Sequence, residues 1–143
     1  MVVIDANAAV EMAKGTFNGF GLAGLVCEGE KTIAPDLFVH ELANICWKYH
    51  HAGFLSTTES AALYQDALGF VDEIHDSSSC AVEVLNESMR LDHPAYDIFY
   101  LVLARRHGAT LVTLDKKLNA CADLLGVQRI HQMDLGECSP NPI

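Results

Sequence analysis

The most constraining feature of this chain is a run of seven consecutive apolar residues, 98–104, that begins directly after Asp97. A helical run with no polar position predicts a helix that is packed against other elements on all sides. Gly108 predicts the end of that helix, and the apolar run 109–114 predicts an interior parallel strand. This strand ends at Asp115. Two carboxylates therefore bracket one of the most hydrophobic parts of the molecule.

Short apolar runs alternate with helical patterns along the rest of the chain. Runs of β-branched and apolar residues predict strands at 2–4, 31–34, 71–75, 109–114 and 127–130. Apolar residues at helical spacing, with Asp36 as a predicted N-cap and a capping pattern at 56–59, predict helices over 8–14, 17–28, 36–51, 57–70, 80–91, 94–107 and 116–125. This alternation predicts a three-layer α/β/α fold around a central, mostly parallel sheet of about five strands.

Length and composition predict a single domain over 1–143 with an irregular tail at about 136–143. The 143 residues are 50% hydrophobic, which is enough for a substantial core. The longest apolar run is far shorter than the ~20 residues that span a bilayer, and the first residues lack the basic start of a signal peptide, so we expect a cytoplasmic protein with no membrane partner. Five cysteines without a CxxC pair argue against a disulfide framework and a structural zinc site.

The charge balance limits the kind of partner that the protein can bind. Nine basic and 19 acidic residues give a formal net charge of −10. This charge argues against broad nonspecific binding of nucleic acid through a basic surface. It is compatible with a metal site, a basic partner or simple solubility.

Four carboxylates lie at positions where a functional site is expected, although each also has a structural interpretation. Asp5 and Asp115 end strands and share one edge of the sheet if both strands are parallel, yet either could be a helix N-cap. Asp97 lies in a first helical turn, where the helix dipole favours it. Glu41, with Asn44 beside it, lies on the core-facing stripe of its helix, where an unpaired carboxylate is costly. Crowded carboxylates repel one another unless a cation neutralises them, so the set predicts a site for Mg²⁺ or Mn²⁺.

Three segments of the chain resemble a known family. They are VVIDANAAV, APDLFVHELANICWK and HPAYDIFYLVLARRHGATLVTLDKKL, and they follow one another from near the start of the chain to residue 118. Their order and spacing resemble those of the PIN-domain ribonucleases, and in particular of the VapC-type toxins of toxin–antitoxin pairs. The resemblance implies a PIN-like fold and Mg²⁺-dependent endonucleolytic hydrolysis of RNA.

The resemblance also implies a role for each acid. Asp5 and Asp97 correspond to the principal metal ligands, while Asp115 and Glu41 complete the catalytic cluster, Asp115 as a further ligand. Polar neighbours support these acids, namely Asn7, Asn44 and Thr113. The implied partners are an RNA substrate, a VapB-type antitoxin whose C-terminal segment covers the cleft, and a second copy of the chain in a homodimer.

Local positive groups are needed if so acidic a protein binds RNA. The candidates that flank the cleft are Arg105, Arg106, Lys116 and Lys117. Their structural interpretation is a helix C-terminus for the arginines and a solvated face for the lysines.

Two other functions remain open from the sequence. One is a non-catalytic PIN-like module that binds RNA or protein through the same acidic pocket. The other is a metal-dependent phosphatase with an aspartate nucleophile, but that chemistry needs a second acid where this chain has Asn7, and it leaves Glu41 without a role.

Overall fold

The computed structural model describes residues 1–26 and 29–130, and it contains four strands and seven α-helices within these ranges. The strands are β1 (Val2–Ile4), β2 (Thr32–Pro35), β3 (Glu73–His75) and β4 (Thr110–Val112). The helices are α1 (Ala6–Lys14), α2 (Phe17–Val26), α3 (Leu37–His51), α4 (Thr57–Leu68), α5 (Ala81–Leu91), α6 (Ala95–His107) and α7 (Lys116–Leu125), with a 3₁₀ turn at Ser78–Cys80. Two sequence predictions, the end of the second helix at 27–28 and the irregular tail at 136–143, lie outside the described residues.

The strands form one parallel sheet in the order β3-β2-β1-β4. Val3 at the centre pairs with Ile33 on one side and Leu111 on the other. The chain therefore builds outward from β1 through β2 to β3 and then crosses back to β4. Helices flank the sheet, since α6 packs on β1, β2 and β4 between α5 and α7, while α1, α3 and α4 pack against one another and α2 against α1. The predicted α/β fold with a parallel sheet is confirmed.

The predicted fifth strand at 127–130 is reduced to a single bridge between Leu111 and Arg129, so the described part of the chain has a four-stranded sheet. The way in which α7 ends explains why this strand is so short. Gly126 adopts a left-handed conformation with φ 68°, and the amide of Val127 then bonds the carbonyl of Ala122 to close the helix. Only two hydrogen bonds remain at this bridge, from the Leu111 amide to the Gln128 carbonyl and from the Ile130 amide to the Leu111 carbonyl, which are too few for a strand.

The apolar run 98–104 behaves as the sequence predicts. Tyr100 and Leu101 are about 1% and 0% exposed, and every residue of the run is either buried in the core or, like Phe99, packed against it. Gly108 ends the helix at φ 58°, a left-handed conformation that favours glycine. This burial fixes α6 on the sheet and with it the position of Asp97 in its first turn.

The helix starts differ in how well the sequence predicts them. The capping box of α4 is present, with Ser56 and Glu59 bonding each other's backbone amides. The predicted N-cap of α3 is wrong, because Asp36 already has helical backbone angles and its side chain caps nothing. Its carboxylate instead accepts a hydrogen bond from the Ser77 hydroxyl. Within the described ranges, no helix combines the length and apolar character needed to cross a membrane.

Candidate acidic site at the carboxyl edge of the sheet

Two acids lie where neighbouring strands end. Asp5 directly follows β1, and Asp115 follows β4 after a two-residue extension. Because β1 and β4 are parallel neighbours, both acids lie at the same edge of the sheet, which we call the carboxyl edge. The strand order also reverses between β1 and β4, and such reversal points are where open parallel sheets bind ligands.

Asp5 is a buried carboxylate, only 7% exposed, that is held from two sides. Its Oδ1 accepts the backbone N–H of Ala8 at 2.8 Å, which caps α1, and its Oδ2 accepts the hydroxyl of Thr113. Burial raises the pKa of Asp5 from 3.8 to about 6. The two hydrogen bonds lower this pKa, while the charges of Asp97 and Asp115 raise it further. Asp5 is therefore both a helix cap and a carboxylate whose ionised form is disfavoured by burial and by neighbouring acids.

Thr113 connects the two strand ends. Besides donating to Asp5, its Oγ1 accepts the backbone N–H of Asp115 at 3.0 Å. Asp115 is exposed, and its Oδ1 caps α7 by accepting the amides of Lys117 and Leu118 at 2.8 and 3.1 Å. Its Oδ2 has no hydrogen-bond donor among the residues that the structure describes. The capping and ligand interpretations of Asp115 are thus compatible, since each uses a different oxygen.

Asp97 is oriented by a residue that sequence reasoning missed. The Nε2 atom of His93 lies 2.8 Å from Asp97 Oδ2, and the imidazole is only 9% exposed whereas the Asp97 side chain is 37% exposed. His93 precedes α6 at i−4 from Asp97, which is the one sequence signal that could have indicated the pair. The histidine therefore fixes one carboxylate oxygen, while the other has no hydrogen-bond donor among the described residues.

Glu41 on α3 is oriented from α6. The hydroxyl of Tyr100 donates to Glu41 Oε2 at 2.9 Å, and Tyr100 is 1% exposed. Partial burial raises the pKa of Glu41 to about 7; the Tyr100 hydrogen bond opposes this rise, and the charges of Asp97 and Asp5 increase it. Burial and the neighbouring Glu41 also raise the pKa of Tyr100, so the phenol stays protonated as a donor.

Two of the four acids respond to the charges of the others. After burial, the charges of Asp97 and Asp115 raise the pKa of Asp5, and those of Asp97 and Asp5 raise the pKa of Glu41. Their donor set consists of oxygens alone, which matches the preference of Mg²⁺ and Mn²⁺. However, no three carboxylate, imidazole or thiol groups in the described ranges come close enough together to hold one ion. The chemistry of the site fits a divalent cation, whereas its side chains would have to turn to enclose one.

The predicted supporting amides do not reach the acids. Asn7 in the first turn of α1 and Asn44 on α3 are both exposed, and neither is hydrogen-bonded to the four carboxylates within the part of the chain that the structure describes. Of the polar neighbours named from the sequence, Thr113 is the one that contacts an acid. The orienting groups that the structure adds are His93 and Tyr100.

The predicted basic residues separate into two pairs. Arg105 and Arg106 stand eight and nine residues beyond Asp97, about 12 Å further along α6. Both bond Glu83 on α5, at 2.6 Å each, and Arg105 also bonds Glu87. In contrast, Lys116 and Lys117 begin α7 beside Asp115, are exposed, and have no ion-pair partner among the described residues. The two arginines are therefore held in ion pairs with α5, whereas the two lysines are not paired among the described residues.

Comparison with known proteins agrees with this architecture. The crystal structure of PAE2754 from Pyrobaculum aerophilum superposes with a TM-score of 0.72 at 22% identity, covering 94% of this chain and 93% of that one, and it has the same fold. Ribonuclease VapC3 of Pyrobaculum aerophilum is 24% identical over 119 residues, which are 82% of this chain and 91% of that protein. The family model described as the PIN domain matches residues 2–124. Since this match spans most of the chain, the prediction from the three sequence motifs is confirmed, and the protein belongs to the PIN domain family.

Proposed function

We propose that this protein is a Mg²⁺-dependent endoribonuclease, and that it is the toxin of a VapBC-type toxin–antitoxin pair. The observation that carries the proposal is the grouping of carboxylates at the carboxyl edge: burial raises the pKa of Asp5 to about 6 and that of Glu41 to about 7, and the charges of neighbouring acids raise both further. Perturbed acids grouped at such an edge are typical of functional sites. The similarity to a protein named ribonuclease VapC3 supports RNA as the substrate.

The proposed cofactor is Mg²⁺, with Mn²⁺ as a substitute, and the proposed ligands are Asp5, Asp97 and Asp115. A cation of this kind, when bound, supplies positive charge to the phosphodiester and makes water a better nucleophile. The other residues of the site orient the proposed ligand carboxylates. Thr113 and the amide of Ala8 hold Asp5.

Glu41 is the proposed general base. Its pKa of about 7 lets it accept a proton from an attacking water near neutral pH, where general bases work best. Tyr100 holds the carboxylate through one oxygen, so that Oε1 has no protein donor among the described residues and can receive the proton. His93 acts similarly on Asp97, since it bonds Oδ2 alone.

Lys116 and Lys117 are the better candidates for RNA contacts. They directly follow Asp115 and carry no ion pair in the described ranges, whereas Arg105 and Arg106 lie further along α6 and are paired with Glu83 on α5. RNA contacts by the arginines require that those ion pairs open. A narrowly chosen RNA held by few phosphate contacts suits a net charge of −10.

The proposed partners also include a VapB-type antitoxin and a second copy of this chain, in a cytoplasmic setting. Apolar side chains at the surface support such contacts, because large exposed apolar groups in a cluster mark interaction surfaces. Val82, Leu85 and Met89 form an exposed stripe along α5 at 73%, 54% and 66% exposure. Trp47, in the last part of α3, and Phe54, three residues beyond the end of α3, are 54% and 74% exposed.

The test is cleavage of RNA by the purified wild type in Mg²⁺, in a chelator, and by Asp97→Asn in Mg²⁺. We expect cleavage by the wild type in Mg²⁺ and at least a hundredfold loss in the other two arms, about 2.7 kcal/mol of transition-state stabilisation. Asp66→Asn removes an exposed carboxylate on α4 and serves as the matched control, with no effect on cleavage. Identical RNA products from the wild type and Asp97→Asn would refute the proposal. Binding of RNA without cleavage in Mg²⁺ would identify a non-catalytic module instead.

A further inference from the structure

A cavity lies directly beside the acidic site and shares a wall with it. Its volume is about 270 Å³, and Thr113, whose hydroxyl bonds Asp5, is one of the residues that line it. The other walls come from α2, from the residues after β4, from α7 and from residues 129–130. A nucleotide next to a phosphodiester held at the carboxyl edge is therefore within reach of this cavity.

The walls of the cavity combine apolar and polar side chains. Leu22, Leu114 and Ile130 provide apolar surface from three separate segments. Such surface, together with a few convergent polar groups, is what small planar ligands require, because apolar contact binds the faces of the ligand and polar groups fix its edges.

Asn119 on α7 provides an unused acceptor in this wall. Its Nδ2 donates to the carbonyl of Thr113 at 3.2 Å, which fixes the orientation of the amide, and its Oδ1 is buried without a donor from any residue that the structure describes. A buried acceptor without a donor is unfavourable, so a ligand that brings a donor relieves this penalty when it binds. The terminal torsion of an asparagine is broad, and a small rotation is enough to meet such a donor.

The cavity also has one uncommitted cation. Arg129 lines it, but its guanidinium is bound by the carboxylate of Asp123 at 2.8 and 3.0 Å. Lys116 lines it too and has no ion pair in the described ranges. The lining of the cavity thus combines an acceptor without a donor, Asn119 Oδ1, with the ammonium group of Lys116, which has no ion pair among the described residues.

We propose that this cavity is a nucleobase subsite that selects guanine beside the cut. Guanine offers two donors, N1–H and N2–H, on one edge and two acceptors, O6 and N7, on another, and lysine contact with O6 and N7 is among the commonest specific contacts to this base. Asn119 accepts from the donor edge, Lys116 donates to the acceptor edge, and the leucines contact the ring faces. The inference rests on the proposed ribonuclease activity and names its specificity-determining residues.

The test compares short single-stranded RNAs that differ only in the bases flanking the mapped cut. For the wild type we expect kcat/KM with guanine at one flanking position to exceed that with the other bases by about tenfold, the discrimination of one good base contact. Asn119→Ala and Lys116→Met should each reduce this preference several-fold. Lys117→Met is the matched control: it removes the same charge one residue away, outside the cavity lining, and should lower cleavage of all the RNAs equally.

Base analogues keep the test independent of mutant folding, because loss of Asn119 also removes the hydrogen bond to Thr113. With the wild-type protein, replacing the preferred guanosine by inosine removes N2–H, and replacing it by 7-deazaguanosine removes N7. Each should reduce cleavage several-fold, and the 7-deaza effect should disappear in Lys116→Met. Cleavage with no guanine preference, or with a preference that neither the analogues nor the variants change, would overturn the subsite.

A binding measurement separates this inference from the proposed function. Guanosine monophosphate and uridine monophosphate are added to the full-length protein in a chelator, and the side-chain amide signals of Asn119 are followed by NMR. If no RNA is cleaved but guanosine monophosphate alone shifts these signals, the ribonuclease proposal fails and the binding of guanine in the cavity stands. If RNA is cleaved but neither nucleotide shifts them, the subsite fails and the ribonuclease proposal stands.

Discussion

Asp5→Asn should stabilise the cation-free protein at neutral pH while abolishing the proposed activity. Asp5 is 7% exposed, and its burial raises its pKa from 3.8 to about 6. The folded protein therefore binds this proton more tightly than the unfolded chain does. The stabilisation from protonated Asp5 is complete below about pH 4, and it is lost as the pH rises through about 6. At pH 7.5 the folded protein bears the full penalty of a buried charge.

The size of the effect follows from the same pKa. One pKa unit corresponds to about 1.4 kcal/mol, so ionised Asp5 destabilises the fold at pH 7.5 by about 3 kcal/mol. Asparagine keeps the oxygen that accepts the Ala8 amide, but its NH₂ group replaces the oxygen that accepts the Thr113 hydroxyl. Reversing that hydrogen bond costs about 1 kcal/mol. The net expectation is a gain of about 2 kcal/mol in the free energy of unfolding.

Urea unfolding in a chelator measures this gain at pH 7.5 and at pH 4.5. The advantage of Asp5→Asn should be present at pH 7.5 and absent at pH 4.5, where wild-type Asp5 is largely protonated. Asp66→Asn, which removes an exposed carboxylate, should change the free energy of unfolding by less than about 0.5 kcal/mol at either pH. The reasoning is refuted if Asp5→Asn is less stable than the wild type at pH 7.5, or if the difference between them does not depend on pH.

Three further outcomes follow from contacts around the site. Tyr100→Phe removes the hydrogen bond that lowers the pKa of Glu41, so the acid limb of the pH–rate profile should move to higher pH, with a loss of about 1 kcal/mol of stability in urea. Glu83→Gln breaks the ion pairs to both arginines of α6, and because these pairs are partly exposed, the free energy of unfolding should fall by less than about 1 kcal/mol. The KM for RNA should stay unchanged, whereas a lower KM would show that the released arginines contact RNA. Mg²⁺ should raise the urea midpoint of the wild type and leave that of Asp97→Asn nearly unchanged, as ligand linkage requires.

The sequence predicts well those features that depend on one continuous segment. The apolar run 98–104 has no polar face, so its helix has to be buried, and β-branched runs that end on acids predict parallel strands ending at one edge. These local patterns place Asp5 and Asp115 at neighbouring strand ends. The capping box at Ser56 is local in the same sense.

Features that depend on competition between distant segments could not be predicted. Tyr100 looks like one more apolar residue of its run, and its hydroxyl acquires a role only because folding brings Glu41, 59 residues away, within 2.9 Å. Asp36 has the residue type of an N-cap, but Ser77 competes for its carboxylate. The strand at 127–130 is shortened because the closure of α7 uses the amide of Val127.

The distribution of positive charge makes a last prediction about RNA binding. All nine basic residues lie in the described ranges, and six of them pair with carboxylates there: Lys14, Lys31, Arg90, Arg105, Arg106 and Arg129. Of the remaining three, Lys116 and Lys117 directly follow Asp115, and Lys48 is on α3.

A protein with two uncommitted cations at its site makes few phosphate contacts. For single strands each contact contributes about −0.7 to the slope of log Kobs against log[salt], so binding of RNA to Asp97→Asn should show a slope of about −1.4. Lys117→Met in that background should bring the slope to about −0.7, and Lys48→Met should leave it unchanged. A slope steeper than about −3 would mean that the glutamate-bound arginines are released to the RNA, in which case the ion pairs of α5 and α6 control binding.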